Sequence, residues 1–285
     1  MTTRTLLTPV SITANGGHLD LDVSRLSGPV RVTLTALNTA GTNPTLASKL
    51  QSATGPARGS EYQTSGTLVD NELREGGSTN TEIAAKFTQS GDRSVKSVAL
   101  RLKKGGTLAA GKLLALKIET NSAGNPSGTG VQNGTSSTVD IDTAVSTTAG
   151  WVTFTFAKPV DLADATIYHL VLSGDYTASA TNNVMWQSNT VASGGTLNLS
   201  TDGTTFAGVS ATQAALYYVD EYTFADLTGG GFTTLSTAGN TTVQTLEFAA
   251  ENLPAFLRLY TTIGGTSNPA FATAATVHAR PAFAQ

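Results

Sequence analysis

Cysteine is absent from this chain of 285 residues, and charged residues make up only 13% of it. Without cysteine there are no disulfides and no thiolate metal ligands, so packing and assembly must stabilise the fold. The formal net charge is −3 and no basic run occurs, which excludes the surface that nucleic-acid binding requires. No stretch approaches the roughly 18 apolar residues of a membrane span, and the N-terminus has no signal-peptide core. We therefore expect no nucleic acid, no membrane, and synthesis in the cytoplasm without secretion.

The abundant uncharged residues favour strands and turns. Hydrophobic residues reach 39% and glycine numbers 29, and much of the remainder is Thr, Ser, Asn and Ala. Thr favours strands, whereas Gly and Asn favour turns. The composition predicts an all-β protein with little helix, and the length allows two domains.

Both ends of the chain carry strand patterns, in which apolar and polar residues alternate. Between the second and third strands lies the loop-like segment 38–44, and a similar segment, 264–269, lies near the C-terminus. The phrase GTNPTL at 41–46 is echoed by GTSNPAF at 265–271, which is a weak sign of a repeat. The predicted strands at the two ends are 19–23, 30–37, 45–51, 242–248, 256–263 and 271–277.

The middle of the chain, from about 54 to 223, has longer and more aromatic strands. Loops rich in Gly, Ser, Asn and Thr separate them, notably at 121–137 and 188–208, and no helical pattern intervenes. Strands at this spacing predict a sandwich of two antiparallel sheets that folds as a domain of its own. The predicted strands are 84–87, 94–102, 114–119, 151–156, 168–173, 183–187 and 214–222.

Read together, the two ends resemble a family of small phage structural β-domains. The resemblance lies in residues 19–53 (LDLDVSRLSGPVRVTLTALNTAGTNPTLASKLQSA) and in the phrases FADLTGG, FLRLY and GGTSNPAF of residues 224–277. Members of that family usually run as one uninterrupted domain. The resemblance implies a base β-sandwich made of residues 1–53 plus 224–285, with residues 54–223 inserted in place of a connecting hairpin.

The inserted stretch has a resemblance of its own. Segments 84–106 (AAKFTQSGDRSVKSVALRLKKGG), 114–131 and 150–175 are similar to jelly-roll sandwiches appended to bacterial surface proteins and phage particles, and distantly to carbohydrate-binding modules. The fold class implied is therefore two antiparallel β-sandwich domains, a jelly-roll-like one inserted into the other.

The two resemblances imply a non-enzymatic bacteriophage virion protein. The leading hypothesis is a capsid decoration or auxiliary protein, a homo-oligomer located in the virion, which docks through its base domain and projects the insert outward. Its partners would be the major capsid protein or tail proteins. The alternative is a tail accessory or receptor-binding protein that contacts a host-surface glycan.

Residues with catalytic or metal-binding chemistry are sparse. The three histidines, His18, His169 and His278, show no ligand spacing, and no nucleophile or phosphate-binding motif occurs. We therefore predict no catalytic residues, no cofactor and no metal site. Asp140 and Asp142 would share one face of a strand, whereas Asp220 and Glu221 would face opposite ways. A depolymerase that uses these carboxylates is the least supported reading.

Aromatic residues concentrate in the insert and leave two alternatives open. Exposed Trp and Tyr rings offer an apolar platform to a sugar, so Tyr176 and Trp186, which flank the polar loop 177–182, are the candidate glycan contacts. The alternative places both in the core. For Trp151, Phe154 and Phe156 we predict core positions.

Overall fold

The computed structural model describes residues 2–13, 16–22, 26–62, 66–73, 81–91, 93–177, 179–236, 242–249, 253 and 255–281. The chain divides into two compact units. Unit 1 combines Met1–Pro56 with Tyr222–Gln285, and unit 2 is Ala57–Glu221. The predicted fold class is confirmed, because both units are built almost entirely of antiparallel strands.

Strands follow one another along the chain, and one helical turn lies between the tenth and eleventh strands. Strands β1 to β10 are Thr2–Ile12, Gly16–Asp22, Leu26–Ala53, Ala57–Tyr62, Leu68–Leu73, Glu82–Thr88, Arg93–Gly105, Leu113–Ser122, Asn125–Thr135 and Val139–Asp140. Helix α1 is Ile141–Ala144, the one helix among the described residues. Strands β11 to β20 are Gly150–Leu162, Ile167–Gly174, Asn183–Thr190, Leu197–Ser200, Phe206–Val209, Gln213–Ala215, Tyr217–Tyr222, Ala225–Gly231, Thr242–Ala249 and Phe256–Pro281.

Unit 1 is organised around two very long strands, β3 and β20. They pair antiparallel along their whole length, from Leu26 opposite Pro281 to Ala53 opposite Phe256. Each half of this ladder is flanked by further strands. β1 and β19 flank one half, and β2 and β18 flank the other.

The expectation of loops at 38–44 and 264–269 is wrong, because both segments lie inside the long strands. They pair with each other around Thr42 opposite Thr266, where the register shifts and the ladder is irregular. Gly41 and Gly265 have φ of +104° and +118° there. A Cβ built on Gly41 would lie 2.6 Å from the Cα of Pro269. Turn-forming residues therefore make an irregularity in a continuous ladder, and the close approach of the backbones requires glycine.

The pairing pattern of unit 1 repeats within itself. β1 and β2 pair with the C-terminal and N-terminal halves of β20, whereas β18 and β19 pair with the corresponding halves of β3. Exchanging β1, β2 and β3 with β18, β19 and β20 leaves this pattern unchanged. The echo between 41–46 and 265–271 is thus part of an internal repeat, whose approximate two-fold axis passes through the Thr42–Thr266 pair.

The core of unit 1 draws on both halves of the ladder. Buried residues of the N-terminal half of β3 share one cluster with Leu50 of its C-terminal half and with both ends of β20. The sheet therefore folds back on itself, and its two halves face each other as a sandwich. The buried members are Ile12, Val30, Val32, Leu34, Leu50, Phe232, Leu257, Leu259, Ala275, Val277 and Ala279.

A buried arginine connects the FADLTGG and FLRLY segments, which also contribute to the phage resemblance. Arg258 of the FLRLY phrase is 2% exposed, and its guanidinium carbon lies 4.3 Å from the ring centre of Phe224. Its Nε donates to Gln51, whose side chain in turn donates to Asp226 at 2.8 Å. Hydrogen bonds from Lys49 and Gln51 lower the pKa of Asp226. The FADLTGG and FLRLY segments therefore contact each other through one hydrogen-bond network.

The described residues of unit 2 form two seven-stranded sheets. The first sheet contains β4, β5, β7, β11, β13, β16 and β17, and the second contains β6, β8, β9, β10, β12, β14 and β15. One large core takes alternate residues of both sheets, such as Val98 and Phe154 from the first and Leu116 and Leu170 from the second. Unit 2 is therefore a two-layer sandwich.

The connections into and out of unit 2 are close together in each unit. In unit 1, Ser52 of β3 is the cross-strand partner of Ala225 of β18. In unit 2, Ala57 of β4 is the partner of Glu221 of β17. The chain therefore leaves unit 1 between the two halves of the internal repeat, at neighbouring strands.

Candidate functional site

Tyr176 and Trp186, the predicted glycan contacts, are both in the core of unit 2. Their exposed fractions are 3% and 0%. The indole Nε1 of Trp186 donates to the carbonyl of Leu216 at 2.9 Å. The hydroxyl of Tyr176 donates to the carbonyl of Leu73 and accepts from the amide of Val184. The prediction requires exposed rings, and that premise is wrong, because both rings and their polar atoms are satisfied inside the protein.

The carboxylates of Asp140 and Asp142 have structural partners. The sequence 139–143 is not one strand, as predicted, because β10 ends at Asp140 and α1 begins at Ile141. Asp140 caps this single turn by accepting from the amide of Thr143 at 3.1 Å, and Asp142 pairs with Lys104 at 2.9 Å. The shared strand face predicted for the two carboxylates is therefore wrong.

Asp220 and Glu221 face opposite ways, as predicted. Asp220 is partly exposed and accepts from the hydroxyl of Ser97 at 3.2 Å. Glu221 is 1% exposed and forms an ion pair with Arg93. Glu221, buried and ion-paired, therefore does not face solvent beside Asp220 as a glycosidase pair would.

The histidines do not form a metal site in the described residues, where no group of three His, Cys, Asp or Glu side chains converges. His169 is fully buried, and its Nε2 lies 3.0 Å from the side-chain oxygen of Asn121. Burial, together with the charge of Lys86 on the neighbouring strand, lowers the pKa of His169 to about 4. The Nε2 of His278 lies 3.2 Å from the hydroxyl of Thr276. The side chain of His18 is outside the described part of the chain.

A cluster of partly or fully exposed aromatic and basic side chains lies on the outer face of the first sheet of unit 2. Trp151 is 37% exposed, and its ring centre is 4.9 Å from that of Tyr218. The guanidinium of Arg58 lies over the Tyr218 ring, 3.8 Å from its centre. We call these three residues the aromatic patch. Tyr218 is held between the other two, so the indole of Trp151 is the ring that remains open to a ligand.

Strand alternation explains why the aromatic patch faces outward. Val152, Phe154 and Phe156 of β11 point into the core, so Trp151 points the other way. Tyr217 and Val219 of β17 likewise point inward and leave Tyr218 outside. The core position predicted for Trp151 is therefore wrong, whereas those of Phe154 and Phe156 are confirmed.

Two arginines lie at the aromatic patch, where carboxyl-bearing residues are also in register, since Glu61 is the cross-strand partner of Tyr218. Arg101 of β7 is the direct cross-strand partner of Trp151, and Arg58 is the partner of Asp220. Among the described residues, no carboxylate forms an ion pair with either arginine. Lys103, two residues beyond Arg101, is paired with Asp70. A guanidinium over Tyr218 and a second arginine opposite Trp151 can bind an anion next to an apolar ring.

The aromatic patch is not among the sites predicted from the sequence, because the composition around each aromatic residue does not show which face of a strand the residue is on. The sequence WVTFTF at 151–156 contains the signal that identifies it, since period-two alternation sets Trp151 apart from Phe154 and Phe156. No sequence pattern places Tyr218 and Arg58 beside Trp151, because strand order brings them together.

Across the part of the chain that the structure describes, no helix is long and apolar enough to cross a membrane.

Comparison with known proteins adds little. No family model matches the chain, and no curated protein matches it. The VP2 subviral particle of infectious bursal disease virus is similar over 98% of this chain and 81% of that one, with 8% identity and a TM-score of 0.24. The structure of the Gt strain of the same virus has 9% identity, the same coverages and a TM-score of 0.23. At these scores the likeness carries no conclusion about this chain.

Proposed function

We propose that this chain is a non-enzymatic structural protein of a bacteriophage particle, most simply a capsid decoration or auxiliary protein. Unit 1 would dock on the particle and unit 2 would be displayed outward. The observation that carries the proposal is that the phrases behind the phage resemblance meet in unit 1. Segments 41–46 and 265–271 pair with each other, and Phe224, Asp226 and Arg258 belong to one network.

The site of insertion supports this division of roles. Ser52 and Ala225 are cross-strand partners in unit 1, so unit 2 enters and leaves the chain at neighbouring residues. An insertion whose ends are close together leaves the other surfaces of its host free for attachment. Many copies that dock through weak contacts would hold the protein on the particle by avidity.

The experiment is to purify mature particles and measure the protein in them by quantitative mass spectrometry. A variant in which a short Gly-Ser linker replaces residues 57–221 should still be incorporated, whereas unit 2 alone should not. Absence of the full chain from mature particles would refute the virion role. Incorporation of unit 2 alone would refute docking through unit 1.

The aromatic patch favours a second candidate, in which unit 2 recognises a host-surface glycan. An open indole on a sheet face is a surface on which a sugar ring stacks. The test is adsorption of the purified chain to host cells with and without Trp151→Ala. The matched control is Leu68→Ala, because Leu68 is 48% exposed on another strand of the same sheet. Equal adsorption of the Trp151→Ala and Leu68→Ala variants would remove this candidate.

A further inference from the structure

We propose that the aromatic patch, extended by Arg101, binds an acidic saccharide, so that a uronic-acid-type carboxylate meets the arginines while the sugar ring stacks on Trp151. This inference rests on the second candidate function and specifies its ligand class.

The rings provide a surface for one sugar at a time. The planes of Trp151 and Tyr218 are tilted by 59°, so they form an angled pair and not one flat platform. Tyr218 has Arg58 over its ring and Trp151 beside it, which fixes its position. The open face of Trp151 therefore matches a single pyranose ring held against a rigid neighbour.

The two arginines favour an acidic ligand over a neutral one. Arg101 lies directly opposite Trp151, on the same face of the sheet, and Arg58 reaches the patch over Tyr218. Because neither forms an ion pair among the described residues, both retain the capacity to bind a ligand carboxylate. Asp220, opposite Arg58, offers an acceptor for a sugar hydroxyl.

A nucleic acid would also combine stacking with negative charge, but the molecule is poorly suited to it. Binding to a phosphate backbone requires a track of cations, and this chain has a net charge of −3 without any basic run. One arginine over Tyr218 and one opposite Trp151 suit a ligand with isolated carboxylates.

The experiment is titration calorimetry of the full chain with polygalacturonate fragments and with the same fragments after reduction of their carboxyl groups. We expect the acidic form to bind at least ~10-fold more tightly, because charge-assisted hydrogen bonds to guanidinium are lost on reduction. Trp151→Ala should weaken binding of both forms by about 10-fold or more. Arg101→Gln should weaken binding of the acidic form alone, and Leu68→Ala should change neither.

The outcomes separate the two levels of the proposal. Equal binding of the acidic and reduced forms, both weakened by Trp151→Ala, overturns the acidic ligand and leaves glycan recognition standing. No binding of either form overturns the acidic ligand. If, in addition, the Trp151→Ala variant adsorbs to host cells as well as the parent does, glycan recognition by the patch is overturned too. Tighter binding of single-stranded oligothymidylate than of polygalacturonate assigns the patch to nucleic acid and overturns the inference. Circular dichroism of each variant shows whether it is folded.

Discussion

Trp151 and Trp186 lie in the same sheet of unit 2 and have opposite environments. Trp186 points into the sandwich and donates its indole hydrogen to Leu216, whereas Trp151 lies on the outer face beside Tyr218. A buried indole contributes stability through packing and a satisfied hydrogen bond. A partly exposed one contributes little stability and remains available for contacts with a partner.

The two tryptophans should therefore differ sharply when each is truncated. Trp186→Ala should lower the free energy of unfolding of unit 2 by about 3–5 kcal/mol, because it opens a cavity and leaves the Leu216 carbonyl without its donor. Trp151→Ala should lower it by no more than about 1.5 kcal/mol, the value of an aromatic pair. Urea unfolding followed by circular dichroism measures both. Similar losses in the two variants would contradict the assignment of core and surface.

His169 makes unit 2 sensitive to acid. In the folded protein its pKa is about 4, whereas in the unfolded chain it titrates near the ordinary value of about 6.5. Between these values the unfolded state binds more protons, so stability falls as the pH falls from 7 to 4. The loss from this residue alone should reach about 3 kcal/mol at pH 4.

A His169→Gln variant should lose less stability than the parent over that pH range, by about 3 kcal/mol, because glutamine does not titrate. Urea midpoints measured at several pH values provide the comparison. As a direct check, the imidazole resonances of His169 in the folded protein should titrate near pH 4. A titration near about 6.5 would show that the ring is not buried as described.

For individual residues, the sequence predicts which face of a strand a side chain is on better than whether that face is buried. Alternation in 151–156 contains the separation of Trp151 from Phe154 and Phe156, although we predicted core positions for all three. The polar neighbours of Trp186 suggest an exposure that it does not have. Those neighbours include Gln187, which hydrogen-bonds to Asp70 and is itself buried. Composition around a residue reports burial poorly when both faces of a strand are covered.

The long strands β3 and β20 place the strictest requirement on residue type, at two glycines. Gly41 and Gly265 adopt positive φ where the register of the two strands shifts, and a side chain at either position would meet a proline of the opposite strand. Both the backbone conformation and the lack of space therefore require glycine there.

Gly41→Ala should destabilise unit 1 by about 2–4 kcal/mol, because backbone strain and overlap with Pro269 add together. The matched control is Gly229→Ala, since Gly229 has φ of +73° but nothing within 4 Å of a built Cβ. That control should cost only about 1 kcal/mol. Both tryptophans are in unit 2, so amide hydrogen exchange in β3 and β20 is the suitable readout. Equal effects of the two substitutions would disprove the close approach.

The elements also show where composition misleads. Segment 38–44 contains Gly, Asn and Pro, a composition that predicts a loop, but its partner across the ladder has the same composition and the two pair. A pairing between residues more than two hundred positions apart is not visible in a local window. The strand predicted through Asp140 and Asp142 is wrong for a different reason, because Asp140 caps a helical turn, a position for which Asp has a general preference.

For the whole molecule, each unit contains the partners of its own strands and its own core. Unit 1 buries a cluster that includes Val32, Leu50 and Leu259, and unit 2 buries a larger one around Phe154 and Leu170. The sequence resemblances predict two separate sandwiches, whereas the repeat inside unit 1 is visible in the sequence only as one short echo.

Replacement of residues 57–221 by a short linker should therefore leave unit 1 folded, and the isolated segment 57–221 should fold as well. The physical reason is that Ser52 and Ala225 are neighbours within unit 1, so closing that gap strains no strand. Dispersed amide resonances in NMR spectra of each product would be the expected result. An unfolded spectrum from either product would show that the two cores depend on each other.

The internal repeat has a consequence for synthesis on the ribosome. In the described residues β1 and β2 pair only with β20, and β3 pairs only with β18, β19 and β20. During synthesis β1, β2 and β3 therefore have no strand partners until β18, β19 and β20 emerge, although unit 2 is already complete. Once Ala57 and Glu221 have paired, the waiting N-terminal strands are tethered close to the start of β18, which shortens the loop that remains to be closed.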